Sequence, residues 1–331
     1  MSDWLKEWAA ERGYQAAWVD YAVLDDAKRT IDDLAARDLI DRELYESIFS
    51  GFRYRPKEGS EELTTGIIIS VPRAHNYVVF ETTEGPLRAV LPATYLEYTA
   101  VRDRVRSELE SQAAELFPTE GYRFESMSAP FKSVATRAGI VTYGRNNITY
   151  AQGCGSSHQL VGFFTNAKPA GPVEMVDPQE TFGKAGGSAM CLHCDACVRV
   201  CPTGALTGER FTIRASRCVT YLNEYPGPWP EWLSPTVHNS LVGCMRCQEV
   251  CPRNRGHLVF EEAPESFTRE ETEAILATAE AGEKKSSEWT RPAGPVWESI
   301  ARKLAVLGQS GLESFLGRNL KALMEAEKAR R

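Results

Sequence analysis

"CLHCDACVRVCP", residues 191–202, places four cysteines within eleven positions and closes on a proline. The spacing, Cys191-x2-Cys194-x2-Cys197-x3-Cys201-Pro202, is the bacterial two-cluster run: three thiolates wrap one [4Fe–4S] cube and the fourth reaches across to another. "CMRCQEVCP" (244–252) nearly repeats it. A symmetric repeat would put a cysteine at 241, where Leu241 stands. Cys218, alone in "RCVTYLNE", is the natural replacement. Pseudo-symmetry then gives Cys191, Cys194, Cys197 and Cys251 to one cube, and Cys201, Cys218, Cys244 and Cys247 to the other. That uses eight of the nine cysteines and leaves Cys154. A structural zinc site takes only four ligands, typically as two separated pairs, so zinc is the weaker reading.

Composition narrows the class. The chain has 331 residues, 43% hydrophobic and 25% charged, which is ordinary for a globular protein of one or two domains. A formal charge of −7 argues against a generally basic, nucleic-acid-coating surface. No apolar run approaches the roughly 20 residues of a membrane span. "MSDWLKEWAAERG" (1–13) lacks the succession of a secretory signal. The expected location is cytoplasmic, where a disulfide framework is disfavoured and metal binding by the cysteines is favoured.

Along the chain, Ser2 is expected to cap a helix that Gly13 ends, and residues 25–48 to form one or two amphipathic helices. "TGIIISVP" (65–72), "YVVFETT" (77–83) and "LRAVLP" (87–92) read as strands. Residues 94–116 have helical periodicity, "RFESMS" (123–128) reads as a strand, and "PFKSVATRAG" (130–139) as a proline-started, glycine-ended helix. Residues 140–190 read as loop-rich and ligand-lining, with a plain surface loop as the alternative. Beyond 265 the pattern is helical.

The order of an α/β domain, "RAGIVTYGRNNITY" (137–150), the cysteine pattern with its solitary "RCVTYL", and "GCMRCQEVCPRN" (243–254) together resemble the epoxyqueuosine reductase family, itself related to the reductive dehalogenases. The resemblance covers roughly residues 60–260. It implies an α+β chain: a nitroreductase-like α/β domain that binds cobalamin, then a bacterial two-[4Fe–4S] ferredoxin-like domain, then a short helical C-terminal tail. The expected boundaries are 1–60 for an N-terminal helical segment, 61–185, 186–260 and 261–331. The implied cofactors are two [4Fe–4S] clusters and a base-off cobalamin. Electrons would come from an external donor: a ferredoxin, a flavodoxin or a reductase.

Three departures from the family shape the expected substrate. About 65 residues follow the cluster domain, where the family has helical repeats that help grip tRNA. The family's proton-donating aspartate before the "RAG" helix is missing, with Glu125 the nearest acid. "VTYGRNN" replaces the family's "GWIGKN". They favour a paralogue acting on a small-molecule substrate, with epoxyqueuosine reduction on tRNA as the alternative. A non-catalytic electron carrier and a flavin in the same fold are further rivals.

On this resemblance Glu125, Tyr143 and Tyr150 are the candidate catalytic residues, as proton donors, and Arg145, Asn146, Asn147 and His158 the candidate cofactor contacts. Each has a plainer rival: a salt bridge for Arg145, a satisfied core hydroxyl for the tyrosines, a buried hydrogen-bonded ring for His158, an exposed carboxylate for Glu125. Cys154 is expected to be a small core residue, and His193 to shield or tune its cluster.

Overall fold

The computed structural model describes residues 3–176, 191, 193–208, 212–280 and 289–330. "TGIIISVP" forms β2 (Thr65–Pro72) in a four-stranded antiparallel sheet with β1 (Gln15–Val19), β8 (His158–Thr165) and β5 (Phe124–Ser126), in the order β1-β2-β8-β5. Alternation along β2 and β8 decides which layer each side chain enters. Ile67, Ile69, Val161 and Phe163 face α1 (Trp4–Glu11) and α4 (Tyr98–Leu116), which bring Leu5, Trp8, Val105 and Leu109. Ile68, Leu160 and Phe164 face α2 (Tyr21–Ala36) and α5 (Phe131–Arg137), which bring Val23, Leu24 and Val134. Arg137, 1% exposed, pins these two helices through Asp26 at 2.5 Å and Thr30 at 2.7 Å.

A second core lies beyond the sheet. β3 (His75–Thr82) and β4 (Gly85–Leu91) form a hairpin, and β9 (Phe260–Glu262) joins β3 in parallel. The helices α9 (Arg269–Leu276), α10 (Pro295–Val306) and α11 (Leu316–Arg330) close over it, with Phe80 stacked on Phe267 at 4.7 Å. The helical tail is therefore a structural layer with its own core. Between the two cores run the cysteine loops, carrying α6 (Ala196–Val200), α7 (Val219–Asn223) and α8 (Arg246–Glu249).

Several expectations are corrected. Asp3 stands at the N-cap of α1, and Ser2 lies outside the described residues. Residues 1–60 are not a separate helical segment, because β1 is an edge strand of the main sheet. Residues 140–165 are not loop: β6 (Val141–Tyr143) and β7 (Thr149–Ala151) form a short hairpin, and β8 is a fully buried interior strand. The part of that stretch beyond 176, with the expected boundary at 185–186, lies outside the described residues.

Candidate functional site

Four cysteines from distant loops, Cys201, Cys218, Cys244 and Cys247, ring one cavity of about 260 Å³. Cys197 interacts with Cys191, Cys194 and Cys251, the other predicted group. Among the described residues no three His, Cys, Asp or Glu side chains converge on a single point; these thiols surround a volume instead. Burial pushes the Cys244 thiol up to about 12, with Cys218 and Cys201 adding to it and the Arg246 N–H opposing. Burial likewise raises Cys197 to about 11, helped by Cys191 and Cys251. Crowded, desolvated thiolates repel one another unless cationic iron sits among them, and bound metal inverts that preference. The donor set therefore fits iron–sulfur cubes.

The β6–β7 turn reaches into these loops. Arg145 donates to the Cys191 carbonyl at 3.2 Å. The Asn146 amide donates to the Tyr150 hydroxyl at 2.8 Å and the Cys247 carbonyl at 3.3 Å, and it also meets the Cys247 thiol. Tyr150 in turn interacts with the Cys251 thiol. A Cβ on Gly144 would stand 2.6 Å from both the Asn146 amide oxygen and the Tyr150 ring, so this packing requires glycine there. Arg145, expected to touch a macrocycle, thus holds a cysteine loop, while Asn146 both holds one and lines the cavity. The Tyr150 hydroxyl accepts from Asn146, and burial raises its pKa far above that of a useful acid.

The remaining candidates divide. Tyr143 is buried beside Arg137, and burial raises its pKa. Asn147 and His158 do line the cavity. The His158 Nε2–H donates to the Thr149 carbonyl at 3.0 Å and Nδ1 accepts from the Ser70 hydroxyl at 3.0 Å. Burial lowers its pKa, so it is a neutral pin between strands with no proton to spare. Glu125 is not in the cavity. Its carboxylate accepts from the Lys57 N–H at 3.0 Å and the Ser60 hydroxyl at 3.2 Å, in a separate, open concavity of about 770 Å³. That concavity carries Arg53, Lys57, Arg102, Arg106 and Arg123. Cys154 packs against the core, as expected, while His193 is exposed and shields little.

Two residues passed over in the sequence, Lys132 and Tyr95, line the cavity, and a third, Glu224, backs Tyr95. Lys132, at the second position of α5, projects into the cavity and donates to the Asn147 carbonyl at 3.0 Å. The side chain keeps access to solvent; desolvation by the surrounding atoms lowers its pKa, against the pull of Cys218, Cys247 and Glu224. Tyr95 donates to Glu224, whose pKa is raised by burial and held back by Tyr95 and Lys132. Only the place of Lys132 in "PFKSVATRAG" was a usable signal, since Tyr95 and Glu224 arrive from far along the chain.

Comparison with known proteins agrees with this geometry. A family described as a 4Fe-4S double cluster binding domain matches residues 190–254. An epoxyqueuosine reductase from Pseudomonas aeruginosa is 29% identical over 262 residues, 76% of this chain and 68% of that one. One from Listeria monocytogenes is 37% identical over 125 residues, covering 38% of this chain and 30% of that one. The fold is similar to solved epoxyqueuosine reductases. That from Streptococcus thermophilus gives a TM-score of 0.65 at 20% identity, covering 98% of this chain and 80% of that one. Another, solved with an epoxyqueuosine-modified tRNA stem loop, gives 0.63 at 19%, with the same coverage.

Proposed function

Because the chain belongs to the epoxyqueuosine reductase family and carries a double [4Fe–4S] cluster domain, we propose that it reduces an epoxyqueuosine-type nucleoside carried on tRNA. Electrons would pass through the two cubes to a cobalamin held by a nitroreductase-like α/β half. The observation that carries this reading is that Cys201, Cys218, Cys244 and Cys247 line the same cavity as Lys132, Asn147 and His158, so an electron source and polar binding groups face one space. The relatives favour tRNA over the small molecule expected from sequence, and the open basic concavity suits a polyanion.

When bound, cobalamin would supply a low-valent metal able to reduce carbon–oxygen bonds, chemistry that no side chain offers. Lys132, Asn147, Thr149 and Gln248 present the ammonium, amide and hydroxyl groups that its amide side chains would meet. The enclosed 260 Å³ would be shared with the cube among Cys201, Cys218, Cys244 and Cys247 and is itself below the usual 300–1,000 Å³ of organic-ligand pockets, so a corrin would extend past the volume these residues enclose. Reducing an epoxide to an alkene consumes two electrons and two protons, both C–O bonds breaking and the oxygen leaving as water, so an acid must first protonate that oxygen. Lys132 Nζ, held by Asn147 and depressed in pKa, is the acid best placed to give one. Glu125 has no such role in this arrangement.

The test is anaerobic reconstitution with iron, sulfide and hydroxocobalamin, followed by one turnover on an epoxyqueuosine-containing tRNA stem loop. Loss of the epoxide by mass spectrometry is the expected result. Loaded, reducible protein that leaves the epoxide intact overturns the substrate, and a corrin lost on desalting overturns the cofactor. Cys218→Ala tests the ligand assignment, with about half of the iron expected to be lost.

A further inference from the structure

Where the β7–β8 turn meets the chain after Cys251, a concavity of about 580 Å³ opens to solvent. Tyr150 forms part of its wall, and Arg253, Arg255 and His257 sit on its rim. Both arginines are exposed and make no ion pair among the described residues. On a chain with a formal charge of −7, this is a local reversal of sign. The surface is also rigid. Asn254, 3% exposed, accepts from the Ser156 N–H at 2.9 Å and donates to the Ser156 hydroxyl at 2.8 Å and the Gln248 carbonyl at 2.9 Å. Gly155, at φ +57°, lies so close that a Cβ there would meet the Asn254 side chain at 2.4 Å.

We propose that this concavity is the electron-entry surface, and that its occupant is a small acidic one-electron donor protein. The proposal rests on the double-cluster reading above. Tyr150 walls the concavity on one side and interacts with Cys251 on the other, so a docked donor stands one side chain away from a cube's ligand. At this surface one electron leaves the donor's reduced flavin and one enters the cube; no bond is made and no proton moves. Two arginines and a histidine beside a cluster ligand suit steering of an acidic partner. A phosphate track needs more, and the field of five basic residues near Glu125 offers it elsewhere.

The experiment uses the full chain with both cubes assembled and a reduced flavodoxin as probe, with cluster bleaching followed by stopped flow. The R253E/R255E double variant is expected to lower the second-order rate at least tenfold at low ionic strength, with the gap closing at high salt. Its reduction by photoreduced deazaflavin, a small diffusing reductant, should match the unaltered chain. An unchanged flavodoxin rate overturns the proposal, as does a variant that loses only affinity for a tRNA stem loop. Should the variant fold poorly, the unaltered chain decides: a flavodoxin rate insensitive to salt overturns the proposal equally. Iron far below about eight per unaltered chain would instead sink the double-cluster reading, and it is measured first.

Discussion

Residues 15–165 bury Ile67, Ile68, Ile69, Phe163 and Phe164 completely or nearly so, between two helical layers. Among the described residues of 191–257, only Leu241 and Val242 join the three large apolar clusters, while Leu206, Val219, Leu233 and Met245 are buried apart from them. Polar side chains from elsewhere hold that span in place. Asn319 donates to the carbonyls of Asn223 and Leu241 at 2.9 and 3.1 Å, Arg318 to that of Tyr225 at 2.9 Å, and Arg330 to that of His238 at 2.8 Å. One half of the molecule is stabilised by removing methylene groups from water. The other satisfies its backbone by hydrogen bonds at its margins and leaves its interior to metal.

Stripping the iron is the sharpest way to break that comparison. With chelator under mild oxidation, amide exchange in 191–257 is expected to become fast while 65–72 and 158–165 stay protected; uniform protection would show that the cysteine half stands without metal. Acid probes both halves together. Burial lowers the pKa of His75 to about 4, as it does for His238, and lowers that of His158 too. These rings bind protons more readily when unfolded, so stability should fall as pH drops from about 6.5 towards 4. The cost reaches about 3 kcal/mol for each of His75 and His238, and a flat denaturant midpoint across that window would refute it.

Arg137→Leu attacks the sheet half alone. It leaves the Asp26 carboxylate, whose pKa is held down by Arg137 against the effect of burial, with only the exposed Arg29 as partner, and leaves Thr30 without its donor. The expected loss is about 3 kcal/mol in chemical unfolding, with cluster content unchanged. Tyr150→Phe is the gentlest change. Removing the hydroxyl that interacts with Cys251 should make one cube harder to reduce by roughly tenfold, about 59 mV for one electron, in an EPR-monitored titration that leaves the second cube in place.

How much could be read beforehand follows the same division. β2 through β5, α4 and α5 were legible because breakers bound their periodicity, and the cysteines because cube geometry dictates their spacing. β8 was hidden by polar His158 and Gln159 at its start and Gly162 within "LVGFF", although a buried interior strand needs no alternation. The β6–β7 hairpin was hidden because "YGRNNITY" carries turn residues that composition cannot separate from loop. The roles of Arg145, Asn146 and Tyr150 went astray because the residues they grip lie about fifty to a hundred positions later, at Cys191, Cys247 and Cys251. Lys132, Tyr95 and Glu224 meet only once both halves are folded.

The three-residue strand β9 has a consequence for biogenesis. His75 pairs with Phe260, and Ala263 and Phe267 donate backbone N–H groups to Tyr77 and Val79. The second edge of the β3–β4 hairpin therefore stays open until synthesis has passed the last cysteine. A nascent or proteolysed chain ending before Phe260 would offer that edge to other strands, so the ribosome must release most of the molecule before its early hairpin is safe from aggregation.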